Sequence, residues 1–349
     1  MKIVMPERFT LTTGDVDTSP ITDIGEVLVI DHASREELKA AIADAEVLLI
    51  NKTIVNEELL EGAEKLEYIG VNATGYNVVD LPYCDAHGIT VTNAPGYSTN
   101  AVAQQVFAYL LEFYSRVHDF NDFVQKDGWI HADTFSPLVF PQEELDGKTI
   151  GLIGYGQIGK KVAQIASAFG MHVLAYSRSA LKALQEAEQQ AERAGEAGTA
   201  DKACRAKQTA STDPNVTFVP LDELIQTADI VSVHCPLNAE SDKLCNRDFF
   251  AKMKQGAFFI NTARGPIVDE PALKEALLSG HLAGAGLDVV ETEPMAADCP
   301  LKGVPNCIIT PHSAWTPKET RSRLIQIVAD NLQSYLDGHP INVVNHPKK

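Results

Sequence analysis

The chain has 349 residues, with 29 Lys or Arg against 47 Asp or Glu, a formal net charge of −18 at pH 7. That length predicts two domains at about 150 residues each, or one large one. So acidic a balance argues against a nucleic-acid backbone or an anionic membrane surface as the main partner, and a 45% hydrophobic content rules out a wholly disordered chain.

A small anionic ligand stays open, because a few locally placed arginines suffice to hold one. The opening residues, Met1 to Arg8, contain an apolar run too short for a signal-peptide core. No stretch approaches the roughly 18 uncharged apolar residues that a membrane span needs. Six cysteines, at 84, 204, 235, 245, 299 and 307, include no C-x-x-C pair. Without a secretion signal they read as reduced thiols, not as a disulfide framework or a zinc site. The expectation is a cytoplasmic protein without a metal centre.

In chain order, short β-branched runs predict strands at 2–5, 26–30, 47–50, 66–71 and 89–92. Helical patterns fall between them. The one at 34–43 opens on Ser34 as N-cap with Glu37 at the third helical position. A long helix is predicted over 101–120, apolar on most faces and therefore expected to be buried at an interface. Strands resume at 149–153, 172–176, 216–219, 230–234, 257–261, 285–289 and 308–310. A last helix, 318–336, must bury one face somewhere and is placed back on the first unit. Strand–helix alternation of this kind implies parallel sheets covered on both faces. Residues 180–215 depart from it: ten alanines, many Gln and Glu and almost no large apolar side chains predict a solvated surface insertion.

Gly154-Tyr155-Gly156-Gln157-Ile158-Gly159 directly follows the strand at 149–153 and opens a predicted helix running to Phe169. In that context G-x-G-x-x-G reads as a dinucleotide phosphate loop. The first glycine permits the tight turn, the second lets a pyrophosphate approach, the third allows close packing, and the helix N-terminus supplies N–H donors. Some 20 residues on, where an acid usually takes the ribose hydroxyls in NAD sites, stands Tyr176-Ser177-Arg178-Ser179. Ser177 and Arg178 could hold a 2′-phosphate that an acid would repel, so the cofactor expectation is NAD(P)H, with NADPH favoured. The competing reading of Arg178 is a solvated surface charge.

Three later motifs follow in order: Thr262-Ala263-Arg264-Gly265, Leu287-Asp288-Val289-Val290-Glu291-Thr292-Glu293-Pro294, and Thr310-Pro311-His312-Ser313-Ala314-Trp315. With the glycine loop, and with Asn72 to Asn77 and Tyr97 to Ala103 upstream, the chain resembles the D-isomer-specific 2-hydroxyacid dehydrogenase family. Only the 180–215 excursion lies outside the likeness. His312 followed by Ser-Ala-Trp is most similar to the glycerate dehydrogenase, or hydroxypyruvate and glyoxylate reductase, branch.

The resemblance implies two doubly wound parallel-sheet α/β domains with a cleft between them. One is a smaller flavodoxin-like substrate domain at 1–100 plus 313–349. The other is a Rossmann domain at 101–312, carrying the insertion at 180–215. It implies NAD(P)H-dependent reduction of a small 2-keto acid, hydroxypyruvate or glyoxylate, to the D-2-hydroxy acid. In that chemistry Arg264 anchors the carboxylate and the ketone oxygen with a fork that stays charged. His312 delivers the proton, and Glu293 orients it. Only the likeness selects Glu293 over Glu291. The backbone of Asn72, Ala73, Thr74 and Gly75 is expected to meet the substrate carboxylate. Thr99, Cys235, Pro236, Ser241, Thr262, Ala263 and Asp288 are expected to join the glycine loop in holding the cofactor, Asp288 near the nicotinamide. Trp315 reads equally as a pocket wall or a packing residue. A homodimer is expected, through the 101–120 helix and the arm carrying Trp129. The alternative function is a cofactor-sensing corepressor or scaffold of the same architecture.

Overall fold

The computed structural model describes residues 1–182 and 215–347, and the chain divides into two units, Met1–Ser98 with Trp315–Lys349 and Thr99–Ala314. The excursion expected at 180–215 therefore falls, for residues 183–214, outside the described residues, as does Cys204. Among the described residues no helix is long and apolar enough to cross a membrane.

In the first unit, strands β1 (Lys2–Met5), β2 (Glu26–Val29), β3 (Val47–Ile50), β4 (Tyr68–Val71) and β5 (Thr90–Thr92) form a parallel sheet in the order β2-β1-β3-β4-β5. β3 and β4 are buried along their whole length, as central parallel strands must be when both faces are covered. Helices α1 (Ser19–Thr22), α2 (Arg35–Ile42), α3 (Glu57–Leu60) and α4 (Leu81–Ala86) belong to the same unit. The Ser34–Glu37 capping box forms as expected, with the Ser34 hydroxyl accepting from the Glu37 amide and the Glu37 carboxylate accepting from the Ser34 amide. The final helix of the chain, Lys318–Leu336 (α11), seats Leu324, Ile325, Val328 and Leu332 in the cluster that holds Ile3, Leu49, Tyr68 and Trp315.

In the second unit, β6 (Thr149–Ile153), β7 (His172–Tyr176), β8 (Val216–Phe218), β9 (Ile230–Val233), β10 (Ala257–Asn261), β11 (Leu282–Leu287) and β12 (Cys307–Ile309) run parallel in the order β12-β11-β10-β9-β6-β7-β8. The strand order reverses at the β6–β9 pairing, and open α/β sheets bind ligands at the carboxyl ends of strands beside such a switch point. This unit carries helices α5 (Thr99–Ser115), α6 (Val117–Gln125), α7 (Gln157–Ala168), α8 (Leu221–Thr227), α9 (Arg247–Lys252) and α10 (Glu270–Leu278), among others.

The helix expected over 101–120 is two helices. Arg116 takes a left-handed backbone (φ 52°), which ends α5 and redirects the chain into α6. The apolar face of α5 is used within its own unit: Ala103, Val106, Phe107, Leu110 and Tyr114 pack with Ile150, Leu152, Val162 and Ala166. The apolar face expected to be buried at an interface is thus buried in the core of its own unit. Leu111 on α5 is also exposed, and after the break Val117, Trp129, Ile130, Phe135 and Leu138 expose apolar surface.

Candidate active site

The loop after β6 gives each of its glycines a separate physical reason. Gly154 has φ 100°, and a Cβ there would stand 2.6 Å from the Cys235 amide nitrogen. A Cβ on Gly156 would meet nothing within 4 Å, so this residue, the N-cap of α7, faces open space. A Cβ on Gly159 would come 2.4 Å from the Gly154 carbonyl oxygen, so α7 can sit this close to the loop only with glycine there. Gln157 and Ile158 form the first turn of α7, where Thr99 Oγ1 reaches Gln157 Oε1 at 3.5 Å and Ile158 packs inward.

The crevice beyond this loop has a volume of about 640 Å³ and is walled by the ends of β6, β7 and β9. Gly154, Gly156, Ser177, Arg178, Cys235, Pro236 and Ser241 all line it. A turn with a glycine open to the crevice at a helix N-terminus, in a space of this size, fits a dinucleotide. Ser177 Oγ lies 3.1 Å from Ser179 Oγ. Arg178 is exposed and forms an ion pair with Glu240, which also lines the crevice. Burial holds the Cys235 thiol above its usual range. The Ser241 hydroxyl donates to the Pro236 carbonyl (2.7 Å) and accepts from the Asn238 amide (2.8 Å), so it fixes the 236–241 turn.

At the end of β10, fully buried Asn261 cinches the turn that presents Arg264. Its side chain accepts from the Ala263 amide (2.9 Å) and donates to the Arg264 carbonyl (2.9 Å). Arg264 Nη1 donates to the Ala263 carbonyl at 2.7 Å, and among the described residues the guanidinium has no carboxylate partner. The Thr262 hydroxyl is buried with no hydrogen-bond partner among the described residues. Gly265 packs so tightly that a Cβ would lie 1.9 Å from the Val290 carbonyl oxygen. The turn after β10 is thereby locked against the loop after β11.

That second loop carries Glu291 and Glu293, and the structure separates them. Glu291 faces Lys243 at 2.6 Å, whereas Glu293 Oε2 lies 2.7 Å from His312 Nδ1. The other Glu293 oxygen accepts from the Val290 amide (3.1 Å). The Glu291 amide donates to buried Glu270 (2.6 Å), tying the loop to the start of α10. An ionised carboxylate only accepts, so Nδ1 carries the proton and Nε2 is left for a ligand.

His312 itself has a left-handed backbone, φ 51°, a conformation costing a non-glycine residue about 1–2 kcal/mol. Asp288 holds it there. The carboxylate is 2% exposed and accepts from Thr310 Oγ1 (2.5 Å) and from the Ser313 (2.8 Å) and Ala314 (2.9 Å) amides, while its carbonyl accepts from the His312 amide (2.8 Å). Bonds to a charged group contribute about 1.5–3 kcal/mol each, enough to offset that strain. Asp288, expected near the nicotinamide, thus has its carboxylate engaged by the His312 turn. A different histidine, His234, lines the crevice beyond the glycine loop, but burial pushes its imidazole down to about 4 and Nε2 bonds Ser232 (2.9 Å), so it stands neutral.

Within the first unit, Asn72 is buried at the end of β4, its amide donating to the Ile50 carbonyl (2.6 Å) and its Oδ1 without a partner among the described residues. The Ala73 carbonyl accepts from the Ala94 amide (2.9 Å), and Thr74 exchanges bonds with Asn93 and Ala94, so the loop up to Gly75 is pinned from below. Trp315 packs in that unit's core, edge-on to Tyr97 and with Lys52 over its ring. Sequence reasoning did not select Asn261, Thr310, Tyr109 or Glu270. Asn261 closes a strand immediately before Thr262-Ala263-Arg264, which is a usable signal; the others act across long separations.

Residues 107–203 and 191–314 match the family described as D-isomer specific 2-hydroxyacid dehydrogenase, NAD binding domain. The chain is 40% identical over 348 residues to a hydroxypyruvate reductase of Blautia hydrogenotrophica, spanning 99% of this chain and all of that one. Among solved structures, it superposes on a protein of Thermus thermophilus with TM-score 0.80 and 33% identity, covering 99% of this chain and 100% of that one. It also superposes on the NADPH-dependent glyoxylate/hydroxypyruvate reductase of Sinorhizobium meliloti in complex with NADP and malonate, with TM-score 0.76 and 26% identity over 99% and 97% of the two chains.

Proposed function

The chain belongs to the D-isomer-specific 2-hydroxyacid dehydrogenase family, a family of oxidoreductases, and from that premise we propose that it uses NADPH to reduce hydroxypyruvate or glyoxylate. The observation that carries the reading is the His312–Glu293 contact of 2.7 Å on a turn locked by Asp288. When bound, the nicotinamide cofactor supplies the hydride. His312 gives the proton from Nε2 to the carbonyl oxygen, and Glu293 stabilises the imidazolium and fixes its ring. Arg264, with no carboxylate partner among the described residues, holds the substrate carboxylate and polarises the ketone. Spectrophotometric assay with glyoxylate, hydroxypyruvate, pyruvate and phosphohydroxypyruvate tests this: the first two should have the highest kcat/KM. A preference for either of the others would overturn the substrate assignment.

The preference for NADPH rests on Ser177 and Arg178 at the crevice, with Glu240 as a competitor for the guanidinium. The 2′-phosphate would have to displace that acid, so selectivity should fall at the low end of about ten- to a hundredfold in kcat/KM. Glu240→Gln should raise it a few-fold, and Ser177→Asp should reverse it by repulsion. A wild-type preference for NADH would contradict the assignment.

We also propose that the protein is a twofold-symmetric homodimer. Support comes from the arm after α6, where Phe135 is 88% and Leu138 98% exposed beside half-exposed Trp129. Apolar surface so concentrated marks a contact face. Light scattering at micromolar concentration should give twice the monomer mass, and Phe135→Ser with Leu138→Ser should give the monomer. A monomeric wild type would refute the assignment.

A further inference from the structure

The chain that holds the His312 turn continues beyond Asp288. Thr310 Oγ1 has a single proton and gives it to Asp288 (2.5 Å), so the Tyr109 hydroxyl, 2.5 Å from the same oxygen, must be the donor to Thr310. Tyr109 comes from the middle of α5, 201 positions before Thr310. Its ring packs against β11 at Gly286, where a Cβ would come within 2.6 Å of the ring, and the residue is 2% exposed. Burial pushes the phenol up to about 12, which keeps it protonated and a donor across the working pH range. The sequence of donors, Tyr109 to Thr310 to Asp288, is therefore one-directional, and each bond polarises the next.

We propose that Tyr109 is a positioning residue for His312, acting through Thr310 and Asp288 to fix the imidazole against Glu293. The inference rests on the reading of His312 as proton donor, but its own claim concerns where the ring is held. Without the phenol hydroxyl, Thr310 can rotate toward other acceptors, and Asp288 then loses the Thr310 hydroxyl as a donor. The strained backbone at His312 then relaxes, and the Nδ1–Glu293 bond is the part that loosens. Tyr109→Phe removes only the hydroxyl and leaves the ring packed on Gly286.

The experiment compares wild type, Tyr109→Phe, Thr310→Val, Thr310→Ser, the Tyr109→Phe/Thr310→Val double variant and His312→Asn, all as full-length protein. Misplacing a catalytic group by a fraction of an ångström should lower kcat about tenfold in Tyr109→Phe, with KM for the keto acid and the cofactor within about twofold. Thr310→Ser should keep most of the rate, while Thr310→Val and the double variant should both match Tyr109→Phe, because the two groups act through one chain. In the cofactor-free protein, the proton on His312 Nδ1, seen by nitrogen-edited NMR and identified by its absence in His312→Asn, should be sharp in wild type and broadened in Tyr109→Phe. An unchanged Nδ1 signal in Tyr109→Phe overturns the proposal, as does a loss confined to melting temperature or to KM. If His312→Asn turns over like wild type, the proton-donor reading fails, and the NMR signal alone still decides the role of Tyr109.

Discussion

His312→Ala is expected to lower kcat about 10²–10⁴-fold, the usual contribution of general acid–base catalysis, while changing KM for the keto acid by no more than a few-fold. The asymmetry follows from what the side chain does. Its Nδ1 is committed to Glu293 at 2.7 Å, so in the proposed role only Nε2 would serve the substrate, and its proton would move as the ketone is reduced. A bond that strengthens as the oxygen gains charge lowers the barrier more than it tightens the ground state. Glu293→Gln should reproduce part of the loss, since an amide can align the ring but stabilises the imidazolium less. Steady-state rates of the purified variants check this, and unchanged turnover in His312→Ala would remove the residue from the mechanism.

Arg264→Ala should reduce kcat/KM by about 10²–10⁴-fold, spread over both constants, because two charge-assisted bonds at about 1.5–3 kcal/mol each are lost. The guanidinium has no carboxylate partner among the described residues, and Asn261 and Gly265 fix the turn that carries it. In the proposed role it would meet the substrate in place, already charged. Arg264→Lys should recover little of the loss, since an ammonium keeps the charge but not the planar fork that spans two oxygens. Full activity in Arg264→Lys would show that charge alone is required.

Much of the fold was legible because its signals are local. β-branched runs such as Val47–Ile50 and Thr149–Ile153 mark strands buried on both faces, and Gly154-x-Gly156-x-x-Gly159 marks the strand–helix turn. The glycine roles inferred from spacing have direct counterparts in the space around each Cα. What was not legible depends on distant partners. The break at Arg116 comes from one residue in a left-handed conformation within a run that is apolar on both sides. The Arg178–Glu240 pair joins residues 62 positions apart and changes what the arginine faces before any ligand arrives. Asp288 was placed by its strand end, but its carboxylate serves Thr310, Ser313 and Ala314 of the His312 turn, a relation that only the β11–β12 pairing creates. The residues alone did not separate Glu293 from Glu291; the resemblance chose Glu293, and the loop's path sets it beside His312 and Glu291 beside Lys243.

The most direct measurement is the configuration of the product. Purified protein given hydroxypyruvate and NADPH should consume the cofactor and yield glycerate, resolved by chiral chromatography as the D enantiomer. L-glycerate, or no cofactor consumption with hydroxypyruvate or glyoxylate, would contradict the account.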